Sequence, residues 1–220
     1  MRGRAASGTA RFLTLASLRW IIRHRAFTPY HLRRYWRFLL FRLRHRRADV
    51  ITEGFVFLGR NVHVEARPGH GRVILGRFTH LGDGTRLYAH EGTLRIGDKC
   101  VLGRDVTITS YLDISIGSAS LLADWTYISD FDHVTGDLAT PIKDQGLVKS
   151  PVRIGPDCWL GVRTTVLRGS RIGRGVVIGA HGVVRGEIPD WSIAVGVPAR
   201  RVKDRRAVYQ ADAARRAYLE

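Results

Sequence analysis

The aliphatic residues of this chain recur with a period of six. Between residues 154 and 184 an aliphatic residue occupies every sixth position without a slip, and glycine follows four of the six. These residues are Ile154, Leu160, Val166, Ile172, Ile178 and Val184. Shorter runs with the same period lie at 75–87, 96–108 and 116–128. The period matches neither the 3.6-residue repeat of an amphipathic helix nor the alternation of a half-buried strand.

A six-residue period predicts short strands joined by tight corners, with three hexads in each triangular coil. The aliphatic side chains stack inside, and we expect the neighbouring glycines to adopt corner conformations closed to residues with a Cβ. One coil cannot bury its own inner face, so at least three must stack. The region from Val50 to about Pro198 predicts six to seven coils, with breaks at 88–95, 109–115 and 131–151.

The segment before the repeat has a helical pattern instead. Thr28 and Pro29 have the residue types of an N-cap and a first helical position. The apolar residues beyond them predict one face of a helix of about 17 residues. That face consists of Leu32, Tyr35, Trp36, Leu39, Leu40 and Leu43. An earlier helix around residues 11–25 is less regular, and a C-terminal helix is expected from Arg205 to about Tyr218.

The positive charge is concentrated in this first segment. The 220 residues carry 36 Lys and Arg against 19 Asp and Glu, a net charge of +17. Residues 1–48 hold 13 Arg and no Asp, Glu or Lys, which leaves +4 for the rest. We therefore expect a basic α-helical extension at 1–49, a β-helix domain at 50–198 with an extruded loop at 131–151, and a C-terminal capping tail at 199–220.

The role of the basic extension stays open at this stage. An Arg-rich amphipathic helix can pack on the β-helix or on a neighbouring subunit, with its arginines solvated. It can also lie on an anionic membrane surface as a peripheral contact. No other motif indicates nucleic-acid binding, so no nucleic-acid partner is expected.

Several classes of protein and site are disfavoured by the sequence. Two cysteines, Cys100 and Cys158, exclude a disulfide framework and a four-thiolate zinc site, and both fall on small inward positions of the repeat. No apolar run nears the roughly 18 residues needed to cross a bilayer. No signal peptide is expected, so we predict a cytoplasmic protein, placed at the inner face of the plasma membrane if the extension binds lipid.

Two segments carry a resemblance to a known family. They are Pro151-Val-Arg-Ile-Gly-Pro-Asp-Cys-Trp-Leu-Gly161 and Ile193-Ala-Val-Gly-Val-Pro-Ala-Arg200. With the repeat over roughly 73–204, they resemble the hexapeptide-repeat acyltransferases, in the branch of galactoside, maltose, nodulation and exopolysaccharide acetyltransferases. The resemblance implies a mainly-β, left-handed parallel β-helix, acetyl-CoA as co-substrate, no metal, and a homotrimer with active sites between chains. The left hand comes from the resemblance alone, because chain physics favours right-handed crossovers.

The loop at 131–151 is the natural place for function, since it leaves a regular coil. The resemblance implies that His133, at the root of this loop, is the general base. Imidazole titrates near neutral pH and can take the proton of a sugar hydroxyl as the oxygen attacks a thioester. Asp130 and Asp132 are expected either to orient this imidazole or contact the acceptor, or else to cap the loop. With His133 alone in the loop, a three-histidine zinc site is disfavoured.

The resemblance also implies residues for both substrates. The backbone N–H of Val162 is the expected oxyanion donor, and Trp159 is expected to line the groove. Ala180 and Arg185 correspond to positions along the pantetheine arm, and Arg200 and Lys203 to the nucleotide phosphates. On the acceptor side the family's Asn and Asp are replaced, and the candidates here are Asp105, Tyr111 and Asp113.

The resemblance thus implies acetyl-CoA-dependent O-acetylation of a saccharide, such as a polysaccharide, an oligosaccharide or a glycolipid precursor. Three alternatives stay open. The acceptor can be an amino sugar or a xenobiotic, the donor can be succinyl-CoA, or the chain can be a non-catalytic β-helix scaffold.

Overall fold

The computed structural model describes residues 19, 22–23, 28–45 and 49–210. Helix α1 spans Pro29–Arg44, and the described chain beyond it winds through 23 short strands. The strands of the first sheet are β1 Val50–Thr52, β4 Gly71–Leu75, β7 Gly92–Ile96, β10 Asp113–Ile116, β15 Val152–Ile154, β18 Arg171–Ile172 and β21 Glu187–Ile188. The strands of the second sheet are β2 Phe57–Leu58, β5 His80–Leu81, β8 Val101–Leu102, β11 Leu121–Leu122, β16 Trp159–Leu160, β19 Val177–Ile178, β22 Ser192–Gly196 and β23 Ala199–Asp204. The strands of the third sheet are β3 His63–Ala66, β6 Arg86–Ala89, β9 Thr107–Ser110, β12 Tyr127–Ser129, β17 Thr165–Val166 and β20 Val183–Val184.

Each coil gives one strand to each sheet, and neighbouring coils pair in parallel. Leu122 lies opposite Leu160, and Ile128 lies opposite Val166, so like residues stack on like residues. All six aliphatic residues of the uninterrupted run are buried. Each such side chain contributes about 1.5–3 kcal/mol by leaving water. The fold prediction is confirmed: the protein is a mainly-β parallel β-solenoid of about six turns.

The corners require left-handed backbone at a position that the sequence pattern did not indicate. Within the described ranges, ten non-glycine residues have positive φ, among them Phe78, Asp105 and Arg163, each three positions after an inner aliphatic residue. The glycines beside the aliphatic residues are needed for close approach instead. A Cβ on Gly82 would lie 2.3 Å from the carbonyl oxygen of Gly103 on the next coil. The predicted reason for these glycines was therefore wrong, because stacking of coils, and not φ, excludes a side chain there.

Only one of the three predicted breaks leaves the solenoid. At 88–95 and 109–115 the chain turns a wider corner between β6 and β7 and between β9 and β10, and pairing continues. The six-residue period does break at both places, with nine positions from Leu87 to Ile96 and eight from Ile108 to Ile116, but these two breaks stay within the solenoid. Beyond β12, strand β13 (Phe131–His133) pairs in antiparallel fashion with β14 (Leu147–Lys149), and a 3-10 turn at Ile142–Asp144 lies between them. We call residues 131–149 the hairpin. After the hairpin, Ile154 stacks on Ile116 and the register resumes.

Helix α1 packs across the first coil through Phe38 and its neighbours, and not through most of the apolar face that the sequence identified. Phe38 is fully buried, and its ring meets Phe55 edge-on at 4.9 Å. Tyr35 and Phe41 pack beside it. Of the residues on the predicted apolar face only Tyr35 packs on this core. The others are exposed, because the helix has apolar residues on two sides.

The far end of the solenoid is closed by β23, which runs antiparallel to β22. Residues 205–210 are helical, and Arg205 pairs with Asp157 at 2.9 Å. The rest of the expected C-terminal helix, and most of the helix expected at 11–25, lie outside the described residues. Among the described helices, none is long and apolar enough to cross a bilayer.

Both cysteines are buried inside the solenoid, at the small inward positions where the repeat placed them. Burial raises the pKa of Cys100 to about 11 and also raises the pKa of Cys158. Both thiols are therefore protonated near neutral pH, which is typical of structural cysteines and not of nucleophiles.

Candidate active site

Asp130 holds the corner from which the hairpin starts. Its side chain is fully buried. Oδ1 accepts a hydrogen bond from the backbone N–H of Tyr111 at 2.7 Å. Oδ2 accepts from the hydroxyl of Ser110 at 2.7 Å and from the N–H groups of Leu112 and Asp113 at 2.9 and 2.7 Å. The structure thus gives Asp130 the loop-capping role that the sequence left open, and no surface for contact with an acceptor.

Two ion pairs tie the base of the hairpin to the solenoid. Asp132 Oδ2 accepts from Arg168 Nε at 2.6 Å, across to the next coil. Lys149 on β14 pairs with Glu91, which lies near the start of the third coil. Sequence reasoning missed Arg168, Lys149 and Glu91. Only Arg168 had a usable signal, since the repeat places it one coil beyond Asp130 once the hairpin is left out.

His133 is the last residue of β13 and is exposed to solvent. Its backbone pairs with Leu147 across the hairpin, and its ring lies 6.5 Å from the ring of Phe131. Within the described part of the chain, no carboxylate forms a hydrogen bond with its imidazole. Asp132, one of the two residues expected to orient the ring, is paired with Arg168 instead. The imidazole is therefore free to meet an incoming hydroxyl group.

A stack of aromatic rings runs along the corner below the hairpin. Tyr88 stacks on His90 at 5.9 Å, and His90 stacks on Tyr111 at 4.6 Å. Tyr111 meets Phe131 edge-on at 4.5 Å. Tyr111, an expected acceptor contact, thus packs between two rings and supports the strand that carries His133.

The two remaining candidates for acceptor binding lie apart from each other. Asp113 pairs with Arg153 on the neighbouring strand of the first sheet. Asp105 occupies a corner with positive φ, and its Oδ1 lies 3.9 Å from Nη1 of Arg86. Both residues line a cleft of about 430 Å³ together with Trp125. The structure therefore does not gather Asp105 and Asp113 around His133.

Three of the candidate coenzyme A residues, Trp159, Arg200 and Lys203, share the outer face of the second sheet. Trp159, Val177, Ile193 and Lys203 lie side by side on successive strands. Arg200 is on the same face of β23 and, like Trp159 and Lys203, is exposed. An aromatic side chain and two cations thus lie along one surface, which suits an anionic nucleotide with an apolar arm.

The backbone N–H of Val162 has the properties of an unused donor. At the equivalent corner two coils earlier, the N–H of Arg104 donates to Asp124 at 2.8 Å. The coil after Val162 has Ala180 at the position equivalent to Asp124, and alanine offers no side-chain acceptor. No described group accepts a hydrogen bond from the Val162 N–H, whereas its carbonyl accepts from His181.

Within one chain, the candidate catalytic and coenzyme A residues form two groups. His133 and Arg185 lie at the corner that follows the third sheet, whereas Trp159, Val162 and Ala180 lie on the second sheet and its following corner. The third sheet separates the two groups. Among the described residues, no cluster of His, Cys, Asp or Glu is arranged to hold a metal ion.

The sequence of this chain is similar to those of known acetyltransferases. The profile of the bacterial transferase hexapeptide (six repeats) matches residues 151–186. The probable acetyltransferase Rv3034c of Mycobacterium tuberculosis is 57% identical over 210 residues, which cover 96% of this chain and 69% of that protein. The putative lipopolysaccharide biosynthesis O-acetyl transferase WbbJ of Escherichia coli is 36% identical over 141 residues, 60% of this chain and 72% of that protein.

Solved structures share the fold at lower identity. AntD, an N-acyltransferase from Bacillus cereus in complex with dTDP and 3-hydroxybutyryl-CoA, has a TM-score of 0.61 at 17% identity, over 82% of this chain and 97% of AntD. The hexapeptide-repeat acetyltransferase VCA0836 of Vibrio cholerae, complexed with acetyl-CoA, has a TM-score of 0.54 at 24% identity. That match covers 59% of this chain and 69% of VCA0836. From the sequence relatives it follows that this chain belongs to the hexapeptide-repeat acetyltransferase family and is related to polysaccharide O-acetyltransferases.

Proposed function

We propose that this protein transfers an acetyl group from acetyl-CoA to a hydroxyl group of a saccharide, with His133 as the general base. The observation that carries the proposal is the exposed imidazole of His133, presented by a hairpin that leaves a regular solenoid and is tied to it at its base. Relatives named for lipopolysaccharide and colanic acid biosynthesis support a saccharide as the acceptor.

In this reaction His133 accepts the proton of the acceptor hydroxyl while that oxygen attacks the thioester carbonyl. The N–H of Val162 stabilises the oxyanion of the tetrahedral intermediate. When the intermediate collapses, the carbon–sulfur bond breaks and His133 returns the proton to the leaving thiol. The proton and the electron pairs balance without a covalent acyl-enzyme.

The outer face of the second sheet fits the donor. Arg200 and Lys203 form no ion pair with any described carboxylate, so both cations are available to phosphate oxygens. Trp159 provides an apolar wall on the same face. Solved proteins of this fold hold coenzyme A ligands, which supports the same donor here.

We infer that the complete site forms between two chains of a homotrimer. The His133 corner and the Trp159 face lie on either side of the third sheet within one chain. In a cyclic trimer, the His133 corner of one chain can face the second sheet of its neighbour, and each interface then holds one site.

The first test is His133→Ala, with the exposed histidine His181 changed to Ala as a matched control. We expect the His133 variant to lose about 10²- to 10⁴-fold in turnover, because the attacking hydroxyl no longer has a base. Its affinity for coenzyme A should stay at the wild-type value. Full turnover in the His133 variant, or a comparable loss in the His181 variant, would contradict the assignment.

The second test concerns the donor. Arg200→Ala combined with Lys203→Ala should weaken coenzyme A binding, since each lost charge-assisted contact costs about 1.5–3 kcal/mol. Arg171→Ala with Arg174→Ala removes two exposed arginines elsewhere and serves as the control. Wild-type affinity in the first pair would exclude the second sheet as the nucleotide site.

The acceptor is tested by acetyl-CoA consumption with a panel of glycans and amino sugars. Transfer to hydroxyl groups of neutral glycans is the expected result. Transfer to amines alone would replace O-acetylation by N-acetylation, and consumption with succinyl-CoA but not acetyl-CoA would change the donor.

A further inference from the structure

Helix α1 carries a second apolar face that the solenoid does not cover. Its inner side packs through Phe38 and Tyr35 against Phe55 of the first coil. Five large apolar residues point the other way and follow a helical spacing, and we call them the outer face. They are Leu32, Trp36, Leu39, Leu40 and Leu43, exposed to 54%, 60%, 43%, 48% and 57%. So many large exposed apolar residues on one helix indicate an interaction surface.

The outer face is bordered by positive charge. Arg33, Arg37 and Arg44 follow one flank of it at helical spacing, and α1 contains no acidic residue. No ion pair among the described residues includes any of these three arginines. Together they give one side of the helix three positive charges, of which Arg37 lies near enough to Asp83 to help lower the pKa of that carboxyl.

A cationic cleft lies beside this flank. It occupies about 390 Å³ between α1 and the first coil, and Leu40, Arg37 and Arg44 line it together with Arg60 and His63. Arg60 is already paired with Asp83 at 2.8 Å. Arg37 and Arg44 therefore supply charge for an anionic group that enters the cleft, and Leu40 joins the cleft to the outer face.

Charge decides which occupant fits the outer face. A second copy would bring two helices without acidic residues together. Residues 1–27 of the same chain hold six Arg and no Asp or Glu, so covering the face with them also brings like charges together. A bilayer rich in anionic lipid offers the complement, since its acyl boundary accepts Leu and Trp side chains while its phosphates accept arginine.

We propose that α1 docks the protein on an anionic membrane surface. The helix lies in the plane of the interface, the outer face enters the headgroup boundary, and the cleft between α1 and the first coil receives lipid phosphate. A helix of 16 residues, attached to the solenoid along its inner side, lies on the bilayer and does not cross it.

The experiment is co-sedimentation of the full chain with vesicles of phosphatidylglycerol and phosphatidylcholine, and with vesicles of phosphatidylcholine alone. We expect binding to the anionic vesicles only. Trp36→Ser with Leu40→Ser should weaken it at least about 10-fold, because less apolar area is buried. Trp125→Ser with Leu121→Ser removes the same residue types at 46% and 40% exposure from the solenoid and should bind like wild type.

A second pair of variants tests the charge. Arg37→Gln with Arg44→Gln should weaken binding about 20- to 30-fold, as expected for two arginines at an anionic surface. Arg171→Gln with Arg174→Gln is the matched control, and high salt should weaken binding by wild type.

Three results would overturn the proposal. The first is a wild-type chain that does not bind anionic vesicles at low salt. The second is equal binding by the Trp36/Leu40 variant and its Trp125/Leu121 control. The third is a change of oligomeric state in the Trp36/Leu40 variant by sedimentation velocity, which would assign the outer face to contacts between copies.

Discussion

At the residue scale, a polar side chain whose hydrogen bonds are all made within the fold is structural, whereas one that is exposed and unpaired is available to a ligand. The carboxylate of Asp130 accepts four hydrogen bonds without access to solvent, so it is structural. The imidazole of His133, three residues further on, is exposed and forms no described hydrogen bond with a carboxylate. Two neighbouring polar residues thus differ in environment, because the carboxylate is buried and fully paired whereas the imidazole is exposed to solvent.

Asp130→Asn should lower the free energy of unfolding by about 3 kcal/mol. An amide has one acceptor oxygen, so its NH₂ group would face N–H donors of the corner at 110–113. Asp132→Asn is the control. It loses one half-exposed ion pair with Arg168 and should cost less than about 1 kcal/mol. Chemical denaturation measures both, and equal losses would show that Asp130 is not the residue that holds the corner.

At the element scale, α1 and the first coil meet through aromatic rings. The rings of His80 and Phe57 stack with their centroids 4.0 Å apart, and the guanidinium of Arg34 lies over the same Phe57 ring at 5.8 Å. Burial, and then the positive charge of Arg34, lower the pKa of His80. Protonation of His80 therefore opposes the folded state at this junction.

This shift predicts acid sensitivity of the α1 junction. The unfolded chain binds the His80 proton near pH 6.5, whereas the folded chain binds it only at lower pH. The free energy of unfolding that is present above pH 6.5 is therefore lost as the pH falls from the pKa of His80 in the unfolded chain to its lower pKa in the folded chain. Thermal unfolding between pH 7.5 and 5 should show a fall in midpoint that is smaller in His80→Gln.

The control for this prediction is His70→Gln, at an exposed histidine in a loop of the solenoid. It should lose as much stability on acidification as wild type. The lowered pKa values of Asp83 and Asp124 act in a more acidic range, nearer the usual pKa of aspartate. Equal acid sensitivity in wild type and His80→Gln would show that another group controls the junction.

At the scale of the whole molecule, the two halves of the proposed site lie on different sides of one solenoid. His133 is at the corner after the third sheet, and Arg200 and Lys203 are on the outer face of the second. Assembly of chains is the simplest way to bring them together. The proposal therefore makes activity a property of the interface between chains.

Mixing two inactive variants tests this arrangement. His133→Ala chains keep the donor face, and Arg200→Ala/Lys203→Ala chains keep the base. In randomly mixed trimers with equal amounts of each, about a quarter of the interfaces join an intact His133 to an intact donor face. Activity should recover to about a quarter of the wild-type value after the chains are co-refolded, whereas each variant alone should stay inactive. No recovery in trimers shown to be mixed would place the whole site within one chain.

The limits of the sequence pattern are clearest at α1 and at Asp130. Periodicity identified Leu32, Trp36 and their neighbours as one apolar face and left open what that face contacts, whereas the structure buries Phe38 on the opposite side. A helix with apolar residues on two sides has no single face for periodicity to identify. For Asp130, the sequence offered a reactive and a structural role, and the donors that decide between them come from a corner about 20 residues earlier in the chain.

The sequence by itself determined the solenoid, the register of its coils and the position of the excursion that carries His133. It could do so because each inner residue stacks on the equivalent residue of the next coil, so a local period is also the rule for tertiary packing. Only the tertiary structure decided which side of α1 is buried, that Arg168 and Lys149 hold the hairpin, and that His133 lies apart from Trp159. The two ion pairs join residues 36 and 58 positions apart, and the buried side of α1 depends on which face the helix presents. The repeat points only to Arg168, and no short-range pattern records the other contacts.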